Sequence, residues 1–304
     1  MPAEILRLKE SGKRKATVSR ALPKERMLTV VLDAVTTAAM LFVISSGLLI
    51  VFGVMKIINF AHAAFVTVGA YAALVGGRLG LPWVFVLPLA FGTGAACGAL
   101  TEATIVRRLY QRPLDAILAT WGLGTVIGQI VTLIFGREVQ FVQAPITGTI
   151  DLFGVDYSAY RIVMIAAAAV VAVVFTGLLN GTRLGLSTRA VIMNETLAQG
   201  LGIDSSRVRL VTFAIGSGLA ALSGALITPL SSVDPNMGLP WLISAFMLVM
   251  VSAGSLFTLA LSCLVLGGLQ VIVSTFVNPI LGGLTIAICA AIVLRIRPEG
   301  FARA

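Results

Sequence analysis

No residue between positions 235 and 294 is charged. One membrane helix needs only about 20 apolar residues, so this run is long enough for several crossings. Composition agrees. The chain is 58% hydrophobic and 12% charged, with a mean hydropathy of +1.01, where soluble domains are about 25% charged. The expected fold is all-α: a polytopic transmembrane helical bundle of about 8 membrane segments, counted at about 20 residues each.

The candidate segments are residues 27–52, 57–77, 81–106, 114–135, 160–179 and 210–230. Three further passes fit within 235–294, with turns near 253–255 and 278–283. The first of these, 239–251, is short for a crossing and reads as a half-helix. Residues 136–157 carry Arg137, Glu138, Asp151 and Asp156 and read as an outer loop.

Basic residues set the expected orientation, because Lys and Arg concentrate in cytoplasmic loops. Residues 1–26 carry Arg7, Lys9, Lys13, Arg14, Lys15, Arg20, Lys24 and Arg26 without an apolar run. They read as a disordered cytoplasmic tail, able to touch anionic lipid, ahead of a membrane domain over 27–304. Arg107, Arg108 and Arg112 mark an inner loop, as do Arg183, Arg189, Arg207 and Arg209, and Arg295, Arg297 and Arg303. Both termini are then expected in the cytoplasm. Starting from an inner tail, an even number of crossings must precede Arg107. Three candidates lie there, so one must fail to cross. The expected failure is a broken or re-entrant segment near residues 54–77, which holds Lys56, Asn59 and His62 between Gly53 and Gly69. Polar groups at membrane depth face a partner, a cavity or a substrate path. Asn59, His62, Gly53 and Gly69 are therefore the candidate path residues. Hydrogen-bonded packing is the plainer role for His62, and a turn or cap for Asn59.

The net charge of +9 needs no nucleic acid, since the loops account for it. No phosphate-binding loop, metal-ligand set or nucleophile–base pair is present in the sequence, so no catalytic residue and no metal is expected. Cys97, Cys263 and Cys289 lie in apolar runs and read as small core residues. Acids in apolar runs are confined to Asp33, Glu102 and Asp115, near span ends, which argues against an ion-coupled carrier. The small residues around 92–99 and 216–225 read as close helix contacts. Thr188 to Gln199 reads as one short helix closed by Gly200 and Gly202, with Asp204, Ser205 and Ser206 capping the next span.

Three blocks resemble one family. The first is Gly47-Leu48, Gly53-Val54 and Ile58-Asn59-Phe60-Ala61-His62, followed by Gly69-Ala70-Tyr71. The second is Arg189-Ala190, Ala198 and Leu201-Gly202-Ile203, followed by Phe213-Ala214-Ile215-Gly216-Ser217. The third is Arg297-Pro298-Glu299-Gly300-Phe301. They are similar to the membrane permease subunits of branched-chain amino acid (leucine/isoleucine/valine-type) ABC importers, with urea and short-amide permeases looking alike. The chain departs from that pattern at Ala63-Ala64 and Met193-Asn194. The resemblance implies a bacterial inner-membrane subunit that moves a small solute. It implies a second permease subunit, two cytoplasmic ATPase subunits that hold ATP and Mg, and a periplasmic solute-binding protein. Residues 181–209 would be the ATPase coupling loop, with Arg189, Ala190, Glu195, Ala198 and Gly202 as its key positions. This chain would bind no cofactor itself. Urea or amide import, and less readily ion-coupled transport, remain the alternatives.

Overall fold

The computed structural model describes residues 23–298 and 300. The tail expected over 1–26 therefore lies largely outside the described residues, and residues 23–26 form the first turn of α1. The helices are α1 (Pro23–Met55), α2 (His62–Arg78), α3 (Trp83–Thr104), α4 (Pro113–Phe135), α5 (Ala159–Gly181), α6 (Arg183–Met193), α7 (Glu195–Gly200), α8 (Ser205–Ile227), α9 (Leu239–Ser252), α10 (Leu256–Phe276) and α11 (Pro279–Ile296). Among the described residues, seven helices are long and apolar enough to cross a membrane: α1, α3, α4, α5, α8, α10 and α11. The remaining two membrane segments, α2 and α9, are shorter. The protein is an all-α polytopic bundle.

α8 is the axis. Glycines let three helices approach it to backbone contact, the device that substitutes for a hydrophobic driving force in lipid. A Cβ at Gly69 would lie 1.8 Å from the Ala221 carbonyl oxygen, and one at Gly224 would lie 1.9 Å from that of Val66. Gly47 and Gly216 set the same close crossing between α1 and α8, and Gly94 and Gly98 set it between α3 and α8. Gly92, two residues before Gly94 and so on the other side of α3, has open space around it. The stripe of small residues is thus a packing feature. α5, α9 and α10 then pack on α1, and α11 packs on α9 and α10, which leaves broad apolar faces on α3, α4, α5 and α10 turned outward.

The two ends of the bundle differ in charge. At one end, Val54 of α1 packs with Val191, Ala198 and Val208, and Arg209 stacks on Tyr110. Lys56, Arg107, Arg108, Arg112, Arg183, Arg189, Arg207, Arg295 and Arg297 belong to this basic face. At the other end, Asp33 near the start of α1 pairs with Arg161 and accepts from the Tyr157 hydroxyl at 3.0 Å. Arg78 donates to Gln140 there at 3.0 Å.

This corrects the expected topology. α1 begins on the Tyr157 end and finishes on the basic end, whereas Gly300 sits against Val251 near the basic end. The described ends of the chain are on opposite faces of the bundle, while residues 1–22, from which two cytoplasmic termini were expected, lie outside the described residues. The parity count was offset by starting from the tail. Counted from the basic face, all three segments before Arg107 traverse, because the extended residues 56–61 and α2 together complete a crossing.

Two local details also differ from expectation. The loop 136–157 contains an antiparallel hairpin, β1 (Thr149–Leu152) and β2 (Val155–Ser158). Its two-residue turn places both Phe153 and Gly154 at positive φ, and Asp151 accepts from the Gly154 N–H at 2.7 Å. The turn expected near 278–283 comes earlier, because Asn278 caps α11 through the Ile280 N–H at 2.8 Å.

The glycine contacts make a direct prediction. Gly69→Val forces overpacking against Ala221 and should cost at least about 1–3 kcal/mol, lowering the melting temperature of the detergent-solubilised chain. Gly92→Val should leave that temperature nearly unchanged.

Candidate functional site: two helices that begin inside the bundle

α1 stops at Met55 because Lys56 turns into the left-handed region, at φ 53°, with its N–H still bonded to the Phe52 carbonyl at 2.8 Å. Residues 56–61 then run back into the bundle as non-helical chain. Such backbone is tolerated at membrane depth only if its polar groups find partners. Here the Phe60 N–H donates to Thr120 Oγ1 at 3.3 Å, and the Ala61 N–H to Asn59 Oδ1 at 3.1 Å. The Asn59 carbonyl accepts from His62 N–H at 3.3 Å. Fully buried His62 donates from Nε2 to the Ile44 carbonyl at 3.1 Å.

That last bond fixes the depth at which α2 begins. Ile44 lies three turns before the end of α1, about 16 Å at 1.5 Å per residue. This is close to half of the roughly 30 Å hydrocarbon thickness. Asn59 and His62 thus both bond backbone around the restart of α2.

A second interruption meets the first. After α8 the chain reaches the hairpin end of the bundle, where Val233 and Gln140 exchange two backbone hydrogen bonds of 2.8 Å. It then descends, and Gly238 lies so close to Ala63 that a Cβ would sit 2.0 Å from the Ala63 carbonyl oxygen. α9 starts at Leu239 and runs only 14 residues, to Ser252. It is the half-helix expected over 239–251, and it ends at the break expected near 253–255, where Ala253 and Gly254 have positive φ. The N-termini of α2 and α9 therefore converge halfway along the bundle. Each carries the partial positive charge of unsatisfied N–H groups.

A small cavity of about 100 Å³ opens where they meet. Phe60, Ala63 and Thr67 line it from the α2 side, Trp121, Thr125 and Gln129 from α4, and Asn236 from the descending loop. Phe60 and Trp121 pack edge to face with centroids 5.3 Å apart. Among the expected path residues, only Asn59 and His62 come together. Neither they nor Gly53 and Gly69 line this cavity. Gly69 is a packing glycine, and Gly53 faces Ile192 on the basic face. The cavity-lining Thr125 and Gln129 were missed, although their spacing of i, i+4 after Trp121 puts three polar or aromatic groups on one stripe of an apolar helix.

On the basic face, residues 181–209 form two short helices rather than one. Asn194 breaks the expected helix by capping α7, its Oδ1 accepting from the Leu197 N–H at 3.0 Å. Gly202, at φ 85°, turns the chain. Asp204 alone caps α8, accepting from Ser206 and Arg207 N–H at 3.1 and 3.2 Å. Ala190 and Ala198 face inward, and Ala198 is 2% exposed. Glu195 pairs with Arg209, whose guanidinium lies 4.1 Å over the Tyr110 ring. The Tyr110 hydroxyl donates to buried Glu102. Burial first, then that hydrogen bond, pushes the phenol well above its ordinary pKa, so it remains a donor. This chain of contacts ties α7 to α3 and α8. Outward, Met193, Leu197 and Leu201 are exposed at 86%, 61% and 74%. Met193 ends α6, and Leu197 of α7 and Leu201 at its C-cap lie one turn apart, so the three form an apolar stripe across the α6–α7 break. Arg189 is also exposed.

Among the described residues no group of three His, Cys, Asp or Glu side chains could hold a metal ion. A glycine-packed helical bundle with two interrupted helices meeting at mid-depth, and an apolar stripe on its basic face, is the scaffold of a membrane transport subunit. Residues 30–294 match the family described as branched-chain amino acid transport system / permease component, and the chain belongs to that family. It is 27% identical to a probable branched-chain amino acid transport permease protein LivH of Methanocaldococcus jannaschii, over 70% of each chain. It is 26% identical to the high-affinity branched-chain amino acid transport system permease protein LivH of Salmonella typhimurium, over 81% of this chain and 85% of that one. A ribose import permease protein RbsC of Haemophilus influenzae is 26% identical, over 62% of this chain and 60% of its own length. No solved structure matches the chain significantly.

The packing role of His62 is testable. His62→Leu removes the donor to the Ile44 carbonyl and should destabilise the solubilised chain by about 1–3 kcal/mol, read as earlier thermal aggregation. An unshifted transition would mean that this bond does not hold the α2 restart.

Proposed function

We propose that this chain is a permease subunit of an ATP-driven importer of branched-chain amino acids in a bacterial inner membrane. The observation that carries the reading is the family match over nearly the whole membrane region, residues 30–294. The basic face is then cytoplasmic, in keeping with the positive-inside rule, and the hairpin face looks toward a solute-binding protein. A second permease subunit completes the path. Two ATPase subunits hold ATP and Mg on the basic face.

The path runs past the meeting point of α2 and α9. There Thr67, Thr125, Gln129 and Asn236 offer hydrogen-bonding groups against the Phe60 and Trp121 rings. Half-helix ends at the midplane are a recurring way to hold a solute in transporters. At the cytoplasmic end the exposed stripe Met193, Leu197 and Leu201 supports docking to an ATPase surface. The Glu195–Arg209 pair and the Tyr110–Glu102 bond support a rigid lever from that stripe to α3 and α8. Arg189, Ala190, Ala198 and Gly202 belong to the same loop, Ala198 and Ala190 shaping it from inside.

Sugars form a second reading, because the ribose permease is a relative. The two LivH proteins bear the name of branched-chain amino acids and RbsC that of a sugar; urea and amides figure in none of these names. Uptake by vesicles holding the assembled importer decides between these. ATP-dependent leucine uptake that isoleucine and valine inhibit and ribose does not is the expected result. Uptake driven by an ion gradient without the ATPase subunits would overturn the importer reading.

Two variants separate docking from folding. Leu197→Glu should leave the chain in the membrane but lower transport by about tenfold, the effect of losing roughly 1.4 kcal/mol of an exposed apolar contact. Ala198→Asp should instead lower the amount of folded chain, since it buries a carboxylate among Val54, Val191 and Val208. Equal transport by Leu197→Glu and the parent chain would remove the stripe from the docking surface.

A further inference from the structure

A second cavity, of about 570 Å³, lies on the basic face between α1, α5, α6 and the start of α10. It is separate from the meeting point of α2 and α9 and shares no lining residue with it. Its walls include Leu49, Ile50 and Phe175, and its polar end is made by Thr188, Arg189 and Asn180. Two features there have no use within the fold. The Thr188 hydroxyl is buried, in a residue 1% exposed, and has no hydrogen-bond partner. Arg189 meets no carboxylate among the described residues and reaches only Asn180 Oδ1, at 3.5 Å.

The geometry points to a binding site for an anionic phospholipid. An apolar fissure that ends in a cation, an amide and a free hydroxyl matches a lipid acyl chain below a phosphate. The phosphate oxygens accept from the Arg189 guanidinium, the Asn180 amide and the Thr188 hydroxyl, which satisfies the buried oxygen that is otherwise left over. Its depth fits as well. Arg189 belongs to α6, at the end of the bundle where the basic residues gather, which is the level of a leaflet's headgroups. A lipid lodged there bridges α6 to α1 and α10. It would steady the same segment whose far side carries Met193 and Leu197. The site does not depend on which solute is carried.

The test uses the full chain in phosphatidylcholine vesicles doped with a photoreactive-tailed phosphatidylglycerol, or with the same tail on phosphatidylcholine. Cross-linked peptides are mapped by mass spectrometry. The phosphatidylglycerol probe should label α1 around Leu49–Ile50 and α5 around Phe175 about five-fold more than the neutral probe, the factor one basic residue contributes at an anionic surface. Arg189→Gln should bring it down to the neutral level, and Arg189→Lys should retain most of the excess. Ile50→Trp, which fills the cavity, should abolish labelling by both probes. Size-exclusion profiles of the variants check that they are folded, and Arg189→Gln, on an exposed side chain, decides the matter if Ile50→Trp is not. Equal labelling by the two lipids, no response to Arg189→Gln, protection by leucine, or loss of labelling when the partner subunits assemble would each overturn the assignment. The last two would make the fissure a solute path or a protein interface.

Discussion

Backbone that leaves a helix inside a membrane needs replacement hydrogen bonds from within the protein, and a few groups supply them to residues 56–61. Asn59 bonds the Ala61 N–H through its side chain, Thr120 of α4 receives the Phe60 N–H, and His62 reaches across to the Ile44 carbonyl. These contacts set where α2 starts, and that in turn sets where Gly238 and α9 can pack. The Asn59 Nδ2 and His62 Nδ1 atoms remain without partners, so the break is held but not saturated. The proposed path through the bilayer gives such an interruption a use.

The glycine contacts around α8 make this arrangement rigid where it must be. Val66, Ala70 and Gly69 of α2 touch the α8 backbone through Gly224 and Ala221, so the outer part of α2 cannot move without α8. α8 itself begins at Asp204, directly after the turn at Gly202, and Arg209 in its second turn holds Glu195 of α7. A push on α7 is therefore applied to a helix that is in backbone contact with α1, α2 and α3. Interfaces packed this tightly transmit strain rather than absorb it.

Much of the fold was legible in the sequence because membrane segments obey strong rules of length and charge. The uncharged stretches, a break somewhere within residues 54–77 and the short α9 followed from those rules. What failed did so for identifiable reasons. The face on which α1 begins was inferred from residues 1–26, yet the ion pair of Asp33 with Arg161 places the start of α1 beside the hairpin. The hairpin was hidden because its turn is Phe153-Gly154, without the Asn-Gly or Asp-Gly that usually announces one. Asn194 was read as part of one helix, although it is a strong capping residue. The cavity was the least legible feature. Its lining comes from the start of α2, the middle of α4 and the loop before α9, which only the folded chain brings together. Asn59 and His62 stood out because they are polar in apolar surroundings, but that signal marks a buried hydrogen bond as readily as a solute contact.

The central claim is that the convergence of α2 and α9 opens a polar, water-reachable path halfway through the bilayer. Thr125 lies on its wall, whereas Leu133 of the same helix is exposed on the bundle's surface and does not line it. The direct measurement is the reaction of Thr125→Cys and Leu133→Cys with a small membrane-impermeant thiol reagent, in the assembled importer with the three native cysteines removed. Modification of Thr125→Cys that transported solute slows, with Leu133→Cys unreactive, is the predicted result. Equal and slow reaction at both positions, indifferent to solute, would contradict a path at this site.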